Sequence, residues 1–194
     1  MKMKRIGKAA KYGLPVALVL GLGVLMGWGT GPARPEQRQA SNAPLKNYGV
    51  IWPGKLTRSG MPCSDQGWEW LHSQGVKSVV TFRPEHDVNY DQFGLRVMRL
   101  PMGEDPPGEA QAEEFLRFIQ DPKNQPVHIH CTAGVGRTGL MAALTRYAVD
   151  GWSLDQALAE ARSYRNGKDL SKIRLDWLTR WARTHQPGSA RLKQ

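Results

Sequence analysis

Five residues separate Cys131 from Arg137 in the stretch His130-Cys131-Thr132-Ala133-Gly134-Val135-Gly136-Arg137-Thr138-Gly139. An apolar run, Val127-His128-Ile129-His130, leads in, and a helical pattern, Leu140-Met141-Ala142-Ala143-Leu144, leads out. A strand therefore ends, a tight glycine-bearing loop turns and a helix begins. Backbone N–H groups of the loop and of the first helical turn then converge on one small space that favours an anion. A thiol is a strong nucleophile at neutral pH only as thiolate. Converging N–H dipoles, a helix N-terminus and a guanidinium all lower its pKa.

The same donors suit the oxygens of a phosphoryl group in transfer. Arg137 can grip two of them bidentately, and the N–H groups of Thr132, Ala133, Gly134, Val135, Gly136 and Arg137 supply the rest. Gly134 and Gly136 let the backbone wrap closely without a Cβ clash. The Thr138 hydroxyl can hydrogen-bond the sulfur and steady it as a leaving group. A Walker-type phosphate loop would end in Gly-Lys-Ser/Thr, which this stretch does not.

Together these residues resemble the signature His-Cys-x5-Arg-Ser/Thr of the cysteine-dependent protein tyrosine phosphatase superfamily, closest to its small dual-specificity-like branch, including bacterial members. Every position of the signature is matched. The segment Arg58-Ser59-Gly60-Met61-Pro62 resembles an entry motif of bacterial members. The resemblance implies Cys131 as nucleophile and Arg137 as phosphoryl-binding group. It also implies that the His130 imidazole hydrogen-bonds the loop backbone and tunes the thiolate. A general acid is expected on a loop that follows a strand and precedes a Pro-Pro pair. Pro101-Met102-Gly103-Glu104-Asp105-Pro106-Pro107 fits, with Asp105 as the acid and Glu104 as the alternate.

The elements that must position these groups read as one α/β domain with a central sheet of four or five strands flanked by helices. Tyr48–Ile51 and Lys55–Arg58 are short strands around Trp52-Pro53-Gly54. Ser64 can cap a helix running to about Ser73, which Gly75 ends. Val76–Phe82 and Leu95–Leu100 read as strands, with a polar loop or short helix between them. Arg83, at a strand end, is read as a structural pairing residue. Ala112, Phe115, Leu116 and Ile119 mark a helix face, and Asp121-Pro122 stops it. Helices then run over 137–149, from the Ser153–Gln156 capping box to Asn166-Gly167, and over 171–184. In the last, Ile173, Trp177, Leu178 and Trp181 are expected on one inward face.

The chain has 194 residues, 40% hydrophobic, with a formal net charge of +10. Residues 41–160 sum to −3 and residues 161–194 to +7, so the excess lies at the ends. No nucleic-acid motif accompanies it, and no nucleic-acid partner is expected. Residues 1–11 form a basic segment. Residues 12–31 carry no charge and are long enough for a transmembrane anchor, with a cleaved signal sequence as the alternative. The positive-inside rule then keeps the N-terminus in the cytoplasm and the catalytic part periplasmic or extracytoplasmic, secreted if cleavage occurs. Residues 32–45 read as a linker, 46–186 as the catalytic domain and 187–194 as a mobile tail.

The expected activity is hydrolysis of phosphomonoesters, phosphotyrosine foremost, with phosphoserine or phosphothreonine second. It proceeds through a cysteinyl-phosphate, with a phosphorylated protein or small phosphoester as partner. A phosphoinositide or inositol-phosphate phosphatase is the first alternative, and a non-catalytic phospho-binding module at the membrane the second. A monomer without cofactor suffices for this chemistry. Cys63 is read as an incidental loop cysteine. His72, His86 and His185 show no metal-ligand spacing, so no metal is expected.

Overall fold

The computed structural model describes residues 43–86 and 88–193. The segments 1–11 and 12–31, and with them the expected membrane anchor, lie outside the described residues. Among the described residues no helix is long and apolar enough to cross a membrane.

Five strands form one sheet in the order β1-β2-β5-β3-β4. They are β1 (Gly49–Trp52), β2 (Leu56–Gly60), β3 (Ser78–Thr81), β4 (Arg96–Arg99) and β5 (Val127–Cys131). β1 is antiparallel to β2; the other pairings are parallel. Parallel strands need crossovers: α1 (Asp65–Ser73) carries the chain from β2 to β3, a 3-10 turn at Tyr90–Phe93 from β3 to β4, and α2 (Glu109–Gln120) from β4 to β5. Three helices follow β5: α3 (Arg137–Ala148), α4 (Leu154–Ser163) and α5 (Lys172–Thr184).

Strand alternation divides the side chains between two cores. Leu56, Val80, Val127, Ile129 and Cys131 join the larger core with α2 to α5. Val79 joins Leu45, Trp68, Leu71, Val76, Tyr90 and Leu95 in the smaller core under α1. His128 and His130 fall on the α1 side. His128 is buried and fully satisfied there, with Nδ1 at 2.9 Å from the Thr57 hydroxyl and Nε2 at 2.8 Å from that of Ser59. Burial, with His130 beside it, holds its pKa well below the usual value.

The parallel register sets Gly60 beside Cys131 and Thr81 beside both His130 and Arg99. All four parallel strands therefore end at one edge, where ligand sites of open α/β sheets form. The capping box at Ser153 and Gln156 is present, with both reciprocal hydrogen bonds made. Ser64 occupies its expected cap position without a side-chain cap bond.

One expectation changes. In α5, Leu178 and Trp181 are buried, but Ile173 is 41% exposed and Arg174 only 7%. The inward face thus passes through an arginine. Residues after Pro187, read as a mobile tail, hydrogen-bond along α3 and α2: Gly188 N–H to Tyr147 O, Ala190 N–H to Ala148 O, Leu192 N–H to Gln120 Oε1.

Candidate active site

The loop from Cys131 to Arg137 is fixed from outside, carbonyl by carbonyl. The Met61 N–H donates to Cys131 O at 2.7 Å and to Thr132 O at 3.2 Å. Asn47 Nδ2 donates to Ala133 O at 2.9 Å. Arg58 Nη2 donates to Gly134 O. Four consecutive carbonyls are thereby turned away from the sulfur. Since N–H and C=O of a peptide point oppositely, the loop's N–H groups are left facing inward.

This wrapping requires glycine at two points. Gly134 has φ +75°, and a Cβ there would lie 2.3 Å from Gly60 N. A Cβ on Gly60 would lie 3.1 Å from Thr132 O and from Ala133 C. The Arg58-Ser59-Gly60 segment and the loop thus press backbone on backbone. Arg58 is fully buried, its guanidinium 3.9 Å from the centre of the Tyr164 ring. Burial lowers its pKa, while Tyr164, Glu160 and Cys131 oppose that shift.

The Cys131 sulfur is 2% exposed and accepts the Gly134 N–H at 3.3 Å. Burial alone raises a thiol's pKa. Here the Thr138 hydroxyl and N–H, the Gly134 N–H and the Arg137 charge outweigh it, and the net shift is downward. The Thr138 hydroxyl is buried close enough to the sulfur to favour the thiolate, but completes no hydrogen bond of good geometry among the described residues.

Arg137 divides its donors. Nη1 donates to Phe82 O and to Met102 O, both at 3.1 Å, and Nη2 donates to Thr132 Oγ1 at 3.1 Å. A guanidinium has five N–H groups, so the Nε–H and one Nη2–H remain on one edge, the pair that grips an oxyanion side-on. Thr132 and Ala133 are exposed, and Val135 and Gly136 half-buried.

His130 lies behind the loop. Its Nε2 is 3.1 Å from the Tyr90 hydroxyl and its ring packs edge-on against Trp68 at 5.4 Å. Arg83, at the end of β3, pairs with Glu85 at 3.3 Å and donates to Met61 Sδ, so it buttresses the same segment that caps Cys131 O.

The Pro101–Gly108 loop is joined to this cradle through Met102 O. Glu104 and Asp105 are both exposed. Glu104 Oε2 lies 3.7 Å from Arg174 Nη2, whereas Asp105 makes no hydrogen bond or ion pair among the described residues. Cys63 is exposed and reduced, donating only to Met61 O.

Asn47, Arg58 and Arg174 were not legible as site residues in the sequence, although Arg58 belongs to a motif singled out there. The fold also brings His185 to Glu109 and Glu113, with ligand atoms within 4.8 Å of one another. His185 Nε2 lies 3.5 Å from Glu109 Oε1 and Arg117 pairs with Glu113 there, and α2 meeting α5 is invisible to spacing.

Residues 54–175 match the family model described as PTP-NADK, a DSP-PTPase phosphatase fused to NAD+ kinase. The chain is 32% identical over 160 residues to the dual specificity protein phosphatase TpbA of Pseudomonas aeruginosa, covering 74% of this chain and 72% of that protein. It is 29% identical over 140 residues to inositol diphosphatase DSP2 of Oryza sativa, covering 66% of each. The crystal structure of P. aeruginosa TpbA superposes with a TM-score of 0.56 at 31% identity, covering 74% of this chain and 98% of that one. A cysteine-to-serine variant of TpbA, solved in complex with pTyr, gives 0.54 at 27%, covering 71% and 96%. The catalytic core of the S. cerevisiae PP-IP phosphatase SIW14 shares the fold, with a TM-score of 0.61 at 24% identity, covering 74% and 95%. A family match over more than half the chain, with the signature loop folded as a cradle, makes this chain a member of the dual-specificity-like family of cysteine-dependent phosphatases.

Proposed function

We propose that the chain hydrolyses phosphomonoesters, phosphotyrosine foremost, in two steps. In the first, Cys131 attacks phosphorus: the S–P bond forms as the P–O bond to the leaving group breaks. Asp105 gives its proton to the departing oxygen. The inward N–H groups of residues 132–137 and the free edge of Arg137 hold the three non-bridging oxygens as charge develops. In the second, water attacks phosphorus and loses a proton to Asp105. The S–P electrons return to sulfur, steadied by the Thr138 hydroxyl. Water supplies the electron pair of the new O–P bond and the proton that returns Asp105 to its starting state, so Cys131 and Asp105 are both regenerated.

The observation that carries the reading is the outward tying of four successive loop carbonyls around a sulfur with a lowered pKa. Asp105 is favoured over Glu104 because Glu104 is engaged by Arg174. The complex of the TpbA cysteine-to-serine variant with pTyr supports phosphotyrosine as substrate class. A second reading, hydrolysis of inositol phosphates, is supported by the resemblance to inositol diphosphatase DSP2. Thr132, Ala133 and Val135 bring no basic side chain to the mouth, which favours the first. A basic segment followed by an uncharged stretch over residues 1–31 supports membrane anchoring with the phosphatase domain outside the cytoplasm.

The deciding experiment runs phosphotyrosine peptide and inositol phosphates in competition on wild type and Cys131→Ser. Turnover of the peptide that Cys131→Ser abolishes is expected. Binding of the peptide without turnover in wild type would instead make this a phospho-binding module.

A further inference from the structure

The loop that carries Asp105 is held at two neighbouring carbonyls by two arginines. Arg137 Nη1 takes Met102 O at 3.1 Å, and Arg174 Nη2 takes Gly103 O at 2.8 Å. Arg174 enters from the first turn of α5. Its Nη2 also lies 3.7 Å from Glu104 Oε2, and a Cβ on Gly136 would sit 3.3 Å from its Nη1. One guanidinium thus touches the acid-bearing loop on one side and the end of the phosphate loop on the other.

The placement is costly. A guanidinium 7% exposed loses most of its hydration, and its Nε is buried without a hydrogen-bond partner among the described residues. The neighbouring Ile173 is 41% exposed, so the apolar residue faces out and the charged one faces in. An amphipathic helix built for stability alone would reverse the two. What the burial gains is the grip on Gly103 and Glu104, two and one residues before Asp105.

The geometry points to Arg174 as a positioning residue that holds the Gly103-Glu104-Asp105 turn against the phosphate loop, so that the Asp105 carboxyl meets the leaving oxygen. This rests on the phosphatase reading above. Arg137 and Arg174 divide the work. Arg137 holds the loop and keeps an edge for the phosphoryl group. Among the described residues Arg174 hydrogen-bonds a loop carbonyl and the Ser171 hydroxyl and pairs with an exposed loop carboxylate at 3.7 Å, with no bond to Cys131. Its loss therefore impairs proton transfer and spares both phosphate binding and thiolate formation. Glu104 becomes part of the anchor.

The test uses the full chain and a series of aryl phosphates, from activated to poor phenol leaving groups. Wild type, Arg174→Ala, Arg174→Lys, Asp105→Asn and Glu104→Gln are compared. The readout is the ratio of kcat/KM on the most activated to that on the poorest substrate. Both values come from one sample, so the ratio does not depend on how much of a variant is folded. Arg174→Ala is expected to raise this ratio about tenfold or more, a fraction of what a general acid contributes. Arg174→Lys should recover part of it, and inhibition by inorganic phosphate should stay at the wild-type level. A uniform loss across leaving groups, or a weakened inhibition by phosphate, overturns the proposal. If Glu104→Gln rather than Asp105→Asn raises the ratio, Glu104 is the acid and its contact with Arg174 is not an anchor. If Cys131→Ser keeps its turnover, the phosphatase reading itself fails, whatever Arg174 does.

Discussion

The two loops at the carboxyl edge of the sheet are held in opposite ways. The phosphate loop, 131–137, is tied at four consecutive carbonyls and pressed against Ser59 and Gly60, with its sulfur buried. The acid loop, 101–108, is held near its base, at Met102 O, Gly103 O and the Met102 N–H, and its two carboxylates are exposed. The contrast follows from the tasks. An oxyanion cradle works only if its dipoles are oriented before the charge arrives. A proton donor must instead meet leaving groups of different shape, so it is anchored at the base of its loop and left open at the tip.

The sharpest way to break this comparison is a methyl group in each loop. Gly134→Ala puts a Cβ 2.3 Å from Gly60 N at φ +75°, whereas nothing lies within 4 Å of a Cβ on Gly103. Gly134→Ala should cost several kcal/mol of stability or abolish activity, on the order of 1–3 kcal/mol coming from overpacking alone. Gly103→Ala should stay within about 0.5 kcal/mol in thermal unfolding, as surface substitutions do. Equal tolerance at the two positions would mean that the phosphate loop is not rigid.

Next in size, Asp105→Asn should lower kcat/KM about a hundredfold or more, most for poor leaving groups, while the alkylation rate of Cys131 by iodoacetamide is unchanged. A variant that lost alkylation as well would put Asp105 in the cradle rather than opposite it. Asn47→Ala removes one of the four ties. The loss of about 1 kcal/mol expected for such a bond should appear as a fewfold fall in kcat/KM and a raised Cys131 pKa. An unchanged titration would remove Asn47 from the account.

The smallest effect concerns the strand beneath the loop. His128 is neutral because burial, then His130, depress its pKa, so the unfolded chain binds the proton more readily. Its contribution to stability is therefore complete above the unfolded value of about 6.5 and is lost as pH falls through the lower folded value. Thermal midpoints should fall between pH 7.5 and 5.5, and less steeply in His128→Asn. Parallel curves would show that other groups carry the acid sensitivity.

Much of this was legible beforehand. The strand–loop–helix around Cys131 was written in local order: an alternating apolar strand, two glycines, then a helical run. The same holds for the Ser153–Gln156 cap, because a capping box spans four residues. What stayed hidden was set by distant partners. Asn47 reaches Ala133 across 86 positions and Arg58 reaches Gly134 across 76. Backbone carbonyls, the acceptors in both cases, carry no residue identity. Arg174 was hidden for the same reason: periodicity assigns charge to the outer face, and its contacts with Gly103 O and Glu104 on a distant loop explain its place inside. Arg58-Ser59-Gly60 was recognisable as a motif, but its work, a cation and a glycine backing the phosphate loop, needed the parallel register of β2 with β5.

The central claim is that an outward-tied loop keeps the Cys131 sulfur ionised. Its most direct test is a pH titration of thiolate absorbance at about 240 nm, with Cys131→Ser as the blank that subtracts Cys63. The account predicts a Cys131 midpoint below the ordinary thiol value of about 8.5, moved upward in Thr138→Ala. A midpoint at or above that ordinary value, unmoved by Thr138→Ala, would contradict it.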